Sequence, residues 1–194
     1  MIEVEKKCLA TEEFLNFLKN NAEKLGYYVL EDICLDFEDL RLIKNDIWLR
    51  RRNGKYELKI PMLFDNKKSD VYEEIEDEKK ILAKLDLKNF DDLQELSALI
   101  THRQTFKIDN FHIDLDEIIS PGTDFLYKMM EIELMIESPE QYENAQQKIL
   151  QFMQEHALKN EIVNGKWVEY VKRYRPEICE LLRENLHYAN RIAV

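Results

Sequence analysis

I-W-L-R-R-R-N-G-K-Y-E-L-K-I-P, residues 47–61, is the stretch that decides the fold. Asn53-Gly54 is a dipeptide favoured in two-residue hairpin turns, where both central positions need positive φ. On either side of it apolar and charged residues alternate, the period of a strand with two unlike faces. The segment predicts a β-hairpin whose second arm ends at Pro61. Trp48, Arg50, Arg52, Glu57 and Lys59 share one face, and Leu49, Leu58 and Ile60 share the other.

The same alternation recurs along the chain. Residues 2–8 present Glu3, Glu5 and Lys7, and residues 71–76 present Glu74 and Glu76. A second hairpin is predicted across Asp109-Asn110, with Arg103, Thr105 and Lys107 on one arm and His112, Asp114 and Asp116 on the other. A late strand over 129–136 carries Glu131 and Glu133, and residues 27–36 read as one more strand. A helix capped by Thr11 is predicted to run past Leu25 and stop at Gly26. Two short helices are expected over 78–86 and 91–99, with a polar loop over 65–70. A long helix starts at Ser138-Pro139 and reaches about His156, and residues 165–188 form a helical tail broken near Pro176. The expectation is one α+β domain spanning 1–194, mainly antiparallel.

Bulk properties narrow the function. With 28 Lys+Arg against 39 Asp+Glu the net charge is −11, which disfavours a nucleic-acid binder relying on broad phosphate neutralisation. Cys8, Cys34 and Cys179 follow no zinc spacing and form no disulfide framework; Cys8 and Cys34 read as small apolar fillers and possible sheet neighbours. The four histidines lack metal-ligand spacing. No signal-like or membrane-spanning apolar run is present, so a soluble cytoplasmic protein without a membrane partner is expected.

One charged strand face is ordinarily a solvated one. Here Ser, Thr, Asn and Gln are nearly absent from these faces, and basic and acidic strands are segregated. If the sheet curls with its helices outside, the apolar faces become an outer core and the charged faces line an interior. Charges in such an interior must be paired, hydrated or matched to a ligand. Arg and Lys suit phosphate oxygens, and clustered carboxylates suit Mg²⁺ or Mn²⁺. Both walls together imply a small-molecule polyphosphate bound with a divalent cation.

Taken in order, E-V-E-K-K at 3–7, W-L-R-R-R at 48–52, E-L-K at 57–59, T-H-R at 101–103, D-L-D at 114–116 and E-I-E at 131–133 resemble the CYTH superfamily, the triphosphate tunnel metalloenzymes. W-L-R-R-R-x-x-x-x-E-L-K-x-P and G-K-W-V-E-Y-V-K-R-Y-R-P at 165–176 are similar to its thiamine triphosphatase branch. The resemblance implies a closed eight-stranded antiparallel β-barrel forming a tunnel, and divalent-metal-dependent hydrolysis of a triphosphate. Carried over, Arg50, Arg52, Lys59, Arg103, Lys107 and Lys166 hold the triphosphate and Trp48 stacks on its organic part. Glu3, Glu5, Glu74, Asp114, Asp116, Glu131 and Glu133 form the metal-binding wall. Lys7, with Glu3 and Glu5, stands nearest the chemistry. The chain departs from the family in two places: Cys34-Leu35 replaces an aromatic pair between Asp32 and Asp36, and Phe125–Met130 replaces the usual lead into E-I-E. Thiamine triphosphate leads the substrates; inorganic triphosphate, ATP in a class IV adenylyl cyclase, and a non-catalytic polyphosphate-binding role are the alternatives.

Overall fold

The computed structural model describes residues 2–64 and 67–184. Eight antiparallel strands form one curled sheet: β1 (Ile2–Cys8), β2 (Glu23–Asp36), β3 (Trp48–Arg52), β4 (Lys55–Phe64), β5 (Lys67–Ile75), β6 (Gln94–Ile108), β7 (Phe111–Ile119) and β8 (Leu126–Ile136). Their order is β1-β8-β7-β6-β2-β3-β4-β5. The edge strands β1 and β5 approach one another across a seam, with no ladder between them among the described residues. The α+β tunnel architecture is therefore as expected, with a ring that its hydrogen bonds leave open at one seam.

Both predicted hairpins form. Asn53 and Gly54 adopt φ of 47° and 81°, and Arg52 pairs with Lys55 across the turn. The Asn53 side chain also accepts a hydrogen bond from the Glu31 backbone N–H at 2.8 Å, tying the turn to β2. Asp109 takes φ 50° in the second turn, and Ile108 pairs with Phe111.

Three sequence expectations are corrected. The first helix, α1 (Glu12–Asn21), ends before Leu25, and Glu23 onward joins β2. The helix expected over 91–99 is instead the start of β6, whose residues 94–98 pair with residues 33–36 of β2. Both follow from one cause: β2 and β6 are long partners, and ladder hydrogen bonds outweigh local helical periodicity. Gly26 is accordingly no helix stop. It sits beside a register shift in β2, where a Cβ would stand 2.7 Å from the Tyr28 phenol oxygen. Third, β4 runs through Pro61 to Phe64, and residues 67–70 belong to β5 rather than a loop. Cys8 and Cys34 are both buried, but their strands are not neighbours.

The helices cover the apolar faces. On one side α1 and α3 (Tyr142–Glu155) set Phe14, Leu18, Ile149 and Phe152 against Val4, Phe106, Ile113 and Ile132. α2 (Glu78–Leu85) places Ile81 over Leu35, Leu49 and Leu58. Each such side chain contributes about 1.5–3 kcal/mol by leaving water, so the hydrophobic term fixes which face turns outward. α4 (Lys166–Tyr174) and α5 (Pro176–Glu184) bring Trp167, Val171 and Ile178 against Cys34 and Ile43. The tail is thus helical and broken at Pro176; its expected continuation to Tyr188 lies outside the described residues. Among the described residues no helix is long and apolar enough to cross a membrane.

Candidate active site

With the apolar faces outward, the charged faces line one cavity of about 1070 Å³. Glu3, Glu5 and Lys7 of β1 reach it, with Trp48, Arg50 and Arg52 of β3, Lys59 of β4 and Glu74 of β5. Arg103 of β6, Asp116 of β7, Glu131 and Glu133 of β8, and Lys166 at the start of α4 complete the lining. Asp114 lines an adjoining cavity of about 400 Å³ that shares Arg52, Arg103 and Glu133 with the larger one. Cross-strand register explains the convergence: Glu5 faces Glu133, Lys7 faces Glu131, Asp114 faces Glu131 and Arg103 faces Asp116. Lys107 is the exception among the expected residues. It is exposed and lines neither cavity.

The basic groups are held by carboxylates. Arg52 grips Asp32 with two hydrogen bonds, 2.7 and 3.1 Å long. Lys166 also donates to Asp32 and, at 2.9 Å, to the Thr101 hydroxyl. Arg103 binds Asp116 through two bonds of 2.7 and 2.6 Å, reaches Glu131 at 2.7 Å and pairs with Asp114. Arg50 pairs with Glu57 at 2.6 Å, Lys59 with Glu74 at 2.6 Å, and Lys7 with Glu5. Such two-point contacts fix the guanidinium planes before any ligand arrives.

Two carboxylate groups have another character. Glu3, Glu5 and Glu133 can bring oxygens within 4.8 Å of one another, and so can Asp114, Glu131 and Glu133. Glu133 belongs to both sets. Burial, reinforced by Glu3, Asp114 and Glu131, pushes its carboxyl up to about 9. Burial and the Glu5 charge likewise raise Glu3 to about 7. Burial also acts upward on Glu131, but Lys7 and Arg103 outweigh it and hold that carboxyl at about 2. Burial pulls Lys7 down, and Glu5 and Glu131 more than reverse it, so the ammonium stays charged. Converging oxygen donors with too few cations beside them fit a hard divalent ion such as Mg²⁺ or Mn²⁺.

Sequence reading missed three contributors. Asp32 shares the inward face of β2 with Cys34 and orients both Arg52 and Lys166; the family resemblance placed it, with Asp36, beside Cys34-Leu35 but gave it no role. Tyr72 lines the cavity from β5, in a stretch read for its charges alone. Trp167 meets Trp48 edge-on with ring centroids 5.1 Å apart, a tertiary contact that no spacing announces. Cys34 occupies the cavity wall where the resemblance leads one to expect an aromatic ring.

Comparison with known proteins agrees with this geometry. A family model for the CYTH domain matches residues 1–162. Among solved structures, a protein of Pyrococcus horikoshii superposes with a TM-score of 0.59 at 23% identity, covering 89% of this chain and 99% of its own. A candidate adenylyl cyclase from Hippeastrum, described as having a dominant triphosphatase activity, gives 0.58 at 16% identity, with 90% and 95% covered. A candidate adenylate cyclase from Vibrio parahaemolyticus gives 0.54 at 17% identity, with 82% and 90% covered. No curated protein matches significantly.

Proposed function

The chain belongs to the CYTH domain family, and from that premise we propose that it removes the terminal phosphate of a triphosphate in a divalent-cation-dependent reaction, with thiamine triphosphate as preferred substrate. One observation carries this reading: Arg50, Arg52, Lys59, Arg103 and Lys166 share a cavity with Glu3, Glu5, Glu131 and Glu133. Binding an anion alone calls for the basic wall; the acidic wall earns its place through a cation.

Arg52 and Arg103, already oriented by Asp32 and Asp116, keep their planes fixed while their remaining N–H groups meet phosphate oxygens. Lys59 and Lys166 add charge without a fixed plane. Lys7, pinned by Glu5 and 3.6 Å from Glu131, is placed to neutralise the phosphoryl group being transferred. Glu3, Glu5, Asp114, Glu131 and Glu133 would hold Mg²⁺ or Mn²⁺. A divalent cation there supplies neutralisation of phosphate oxygens and acidifies water. Catalysis of this class rests chiefly on positioning and charge stabilisation, which is what a preset ring of cations delivers.

Trp48 at the cavity wall favours a substrate with an organic ring. Inorganic triphosphate is the second reading, favoured by Cys34 standing where an aromatic would extend the organic site. The test is phosphate release from thiamine triphosphate, inorganic triphosphate and ATP, with and without Mg²⁺, with cyclic AMP assayed in parallel. Metal-stimulated release from thiamine triphosphate, lost at least 100-fold in Arg52→Ala, is the expected result. Cyclic AMP as the main product, or full activity in chelator, contradicts it.

A further inference from the structure

Asp46 stands behind the ring of tunnel charges, yet it touches two side chains that line the cavity. It closes the 3-10 turn Ile43–Asn45 with φ of 64°, a conformation that Asp tolerates better than most residues. Its side chain is buried, with the residue 0% exposed. Oδ1 accepts a hydrogen bond from the Trp48 indole N–H at 3.0 Å and another from the Tyr72 hydroxyl at 3.0 Å. Trp48 lies on β3 and Tyr72 on β5, with β4 between them. One buried oxygen therefore ties together rings from strands that share no ladder.

That arrangement is costly unless it is used, because a buried carboxyl needs its hydrogen bonds to offset desolvation. The two tryptophans contrast here. Trp48 is fixed by Asp46, whereas the buried Trp167 Nε1 has no hydrogen-bond partner among the described residues. Trp48 and Tyr72 both line the cavity that holds the phosphate-binding cations.

We infer that Asp46 is a positioning residue for the organic end of the substrate, fixing Trp48 and Tyr72 as walls of an aromatic slot for a flat cationic heteroaromatic ring. The inference rests on the triphosphatase reading and deepens it. Aromatic faces attract a cation, and the two hydrogen bonds to Asp46 hold both rings in place to do so. A bare triphosphate carries no ring and makes no use of the slot. This separates Asp46 from the tunnel machinery.

The experiment compares KM and kcat for thiamine triphosphate and for inorganic triphosphate in wild type, Asp46→Ala, Asp46→Asn and Tyr72→Phe. Asp46→Ala is expected to raise KM for thiamine triphosphate about tenfold, while kcat and both constants for inorganic triphosphate move less than about threefold. Asp46→Asn keeps an acceptor oxygen and should restore most of the loss. Tyr72→Phe keeps the ring, loses one bond, and should raise the same KM by about threefold; it decides the matter if Asp46→Ala does not fold. Equal effects on both substrates, or none on either, overturn the inference. Trp48 and Trp167 are the only tryptophans in the chain, so quenching of intrinsic fluorescence by thiamine triphosphate reads the slot without turnover. Saturable quenching that weakens in Asp46→Ala supports the assignment, and quenching indifferent to Asp46 contradicts it. Absence of metal-stimulated release from every triphosphate would sink the triphosphatase reading instead.

Discussion

Two groups of carboxylates line this tunnel and behave oppositely. Asp32 is locked to Arg52 and Lys166; burial pushes it up, but those cations hold it well below the usual carboxylate range. Glu133 is half-buried beside Glu3, Asp114 and Glu131 and is raised to about 9. Residue type does not distinguish them; the neighbouring charges do. The first group is satisfied within the protein and serves to aim arginines. The second is short of positive charge, which a divalent cation would supply under the proposed function.

The largest expected effect comes from removing Arg103, which binds Asp116 as well as Asp114 and Glu131 of the second group. Arg103→Ala leaves Asp114, Asp116 and Glu131 facing one another without their guanidinium. Removing one partner of a buried ion network costs about 3–5 kcal/mol, to be read as a lowered Tm and denaturant midpoint in metal-free protein. An unchanged Tm would mean that these carboxylates do not depend on Arg103.

Next, Glu133→Gln tests the unsatisfied group. Gln resembles the protonated carboxyl that wild type holds near neutrality, so the Tm at pH 7 should match wild type. Turnover should nevertheless fall by about 10²–10³. Above pH 9 the variant should be the more stable protein, since wild type then carries an additional buried charge. A variant that is unstable at pH 7 would place Glu133 in the first group.

The pH dependence follows with a definite sign. Glu3 and Glu133 have folded pKa values of about 7 and about 9, against an unfolded value of 4.5. Between those limits the folded chain binds more protons than the unfolded one, so these two groups make stability fall as pH rises. Asp32 and Glu131 act oppositely: their contribution is present above the ordinary carboxylate range and is lost as pH falls toward the lowered values. Saturating Mn²⁺ should flatten the alkaline slope. Apparent Mn²⁺ affinity should rise about tenfold per pH unit for each proton displaced, checked by calorimetry in buffers of different ionisation enthalpy. No proton release at pH 7 would count against the raised carboxyls as ligands.

The smallest effect is expected at Lys107. Alternation sets it on one face with Arg103 and Thr105 and the family resemblance implies that it holds phosphate, but it is exposed where β6 approaches its turn. Lys107→Ala should change kcat/KM by less than about threefold. A hundredfold loss would bring it back into the site.

Lys107 also marks what alternation reports. Period-two spacing told which face Arg103, Asp114 and Glu133 share, because a strand has two faces only. It did not tell how far along the tunnel each residue lies, since that depends on strand length and stagger. The boundaries of β2 and β6 were hidden for a related reason. Leu25 in β2 and Leu96 in β6 fit helical spacing locally, and only the partner strand decides against it. The roles of Asp46, Tyr72 and Trp167 depend on contacts between distant segments, which one sequence does not display. Asn53-Gly54, by contrast, was legible because turn geometry is a local property of two residues.

The most direct measurement is anomalous scattering from crystals grown with Mn²⁺ and a non-hydrolysable triphosphate analogue. The expected result is Mn²⁺ bound through Glu133 together with Glu3 and Glu5, or with Asp114 and Glu131, and phosphates against Arg52, Arg103 and Lys59. Manganese and phosphate seated on the outer surface, with the tunnel carboxylates still paired to one another and to Arg103 alone, would contradict it.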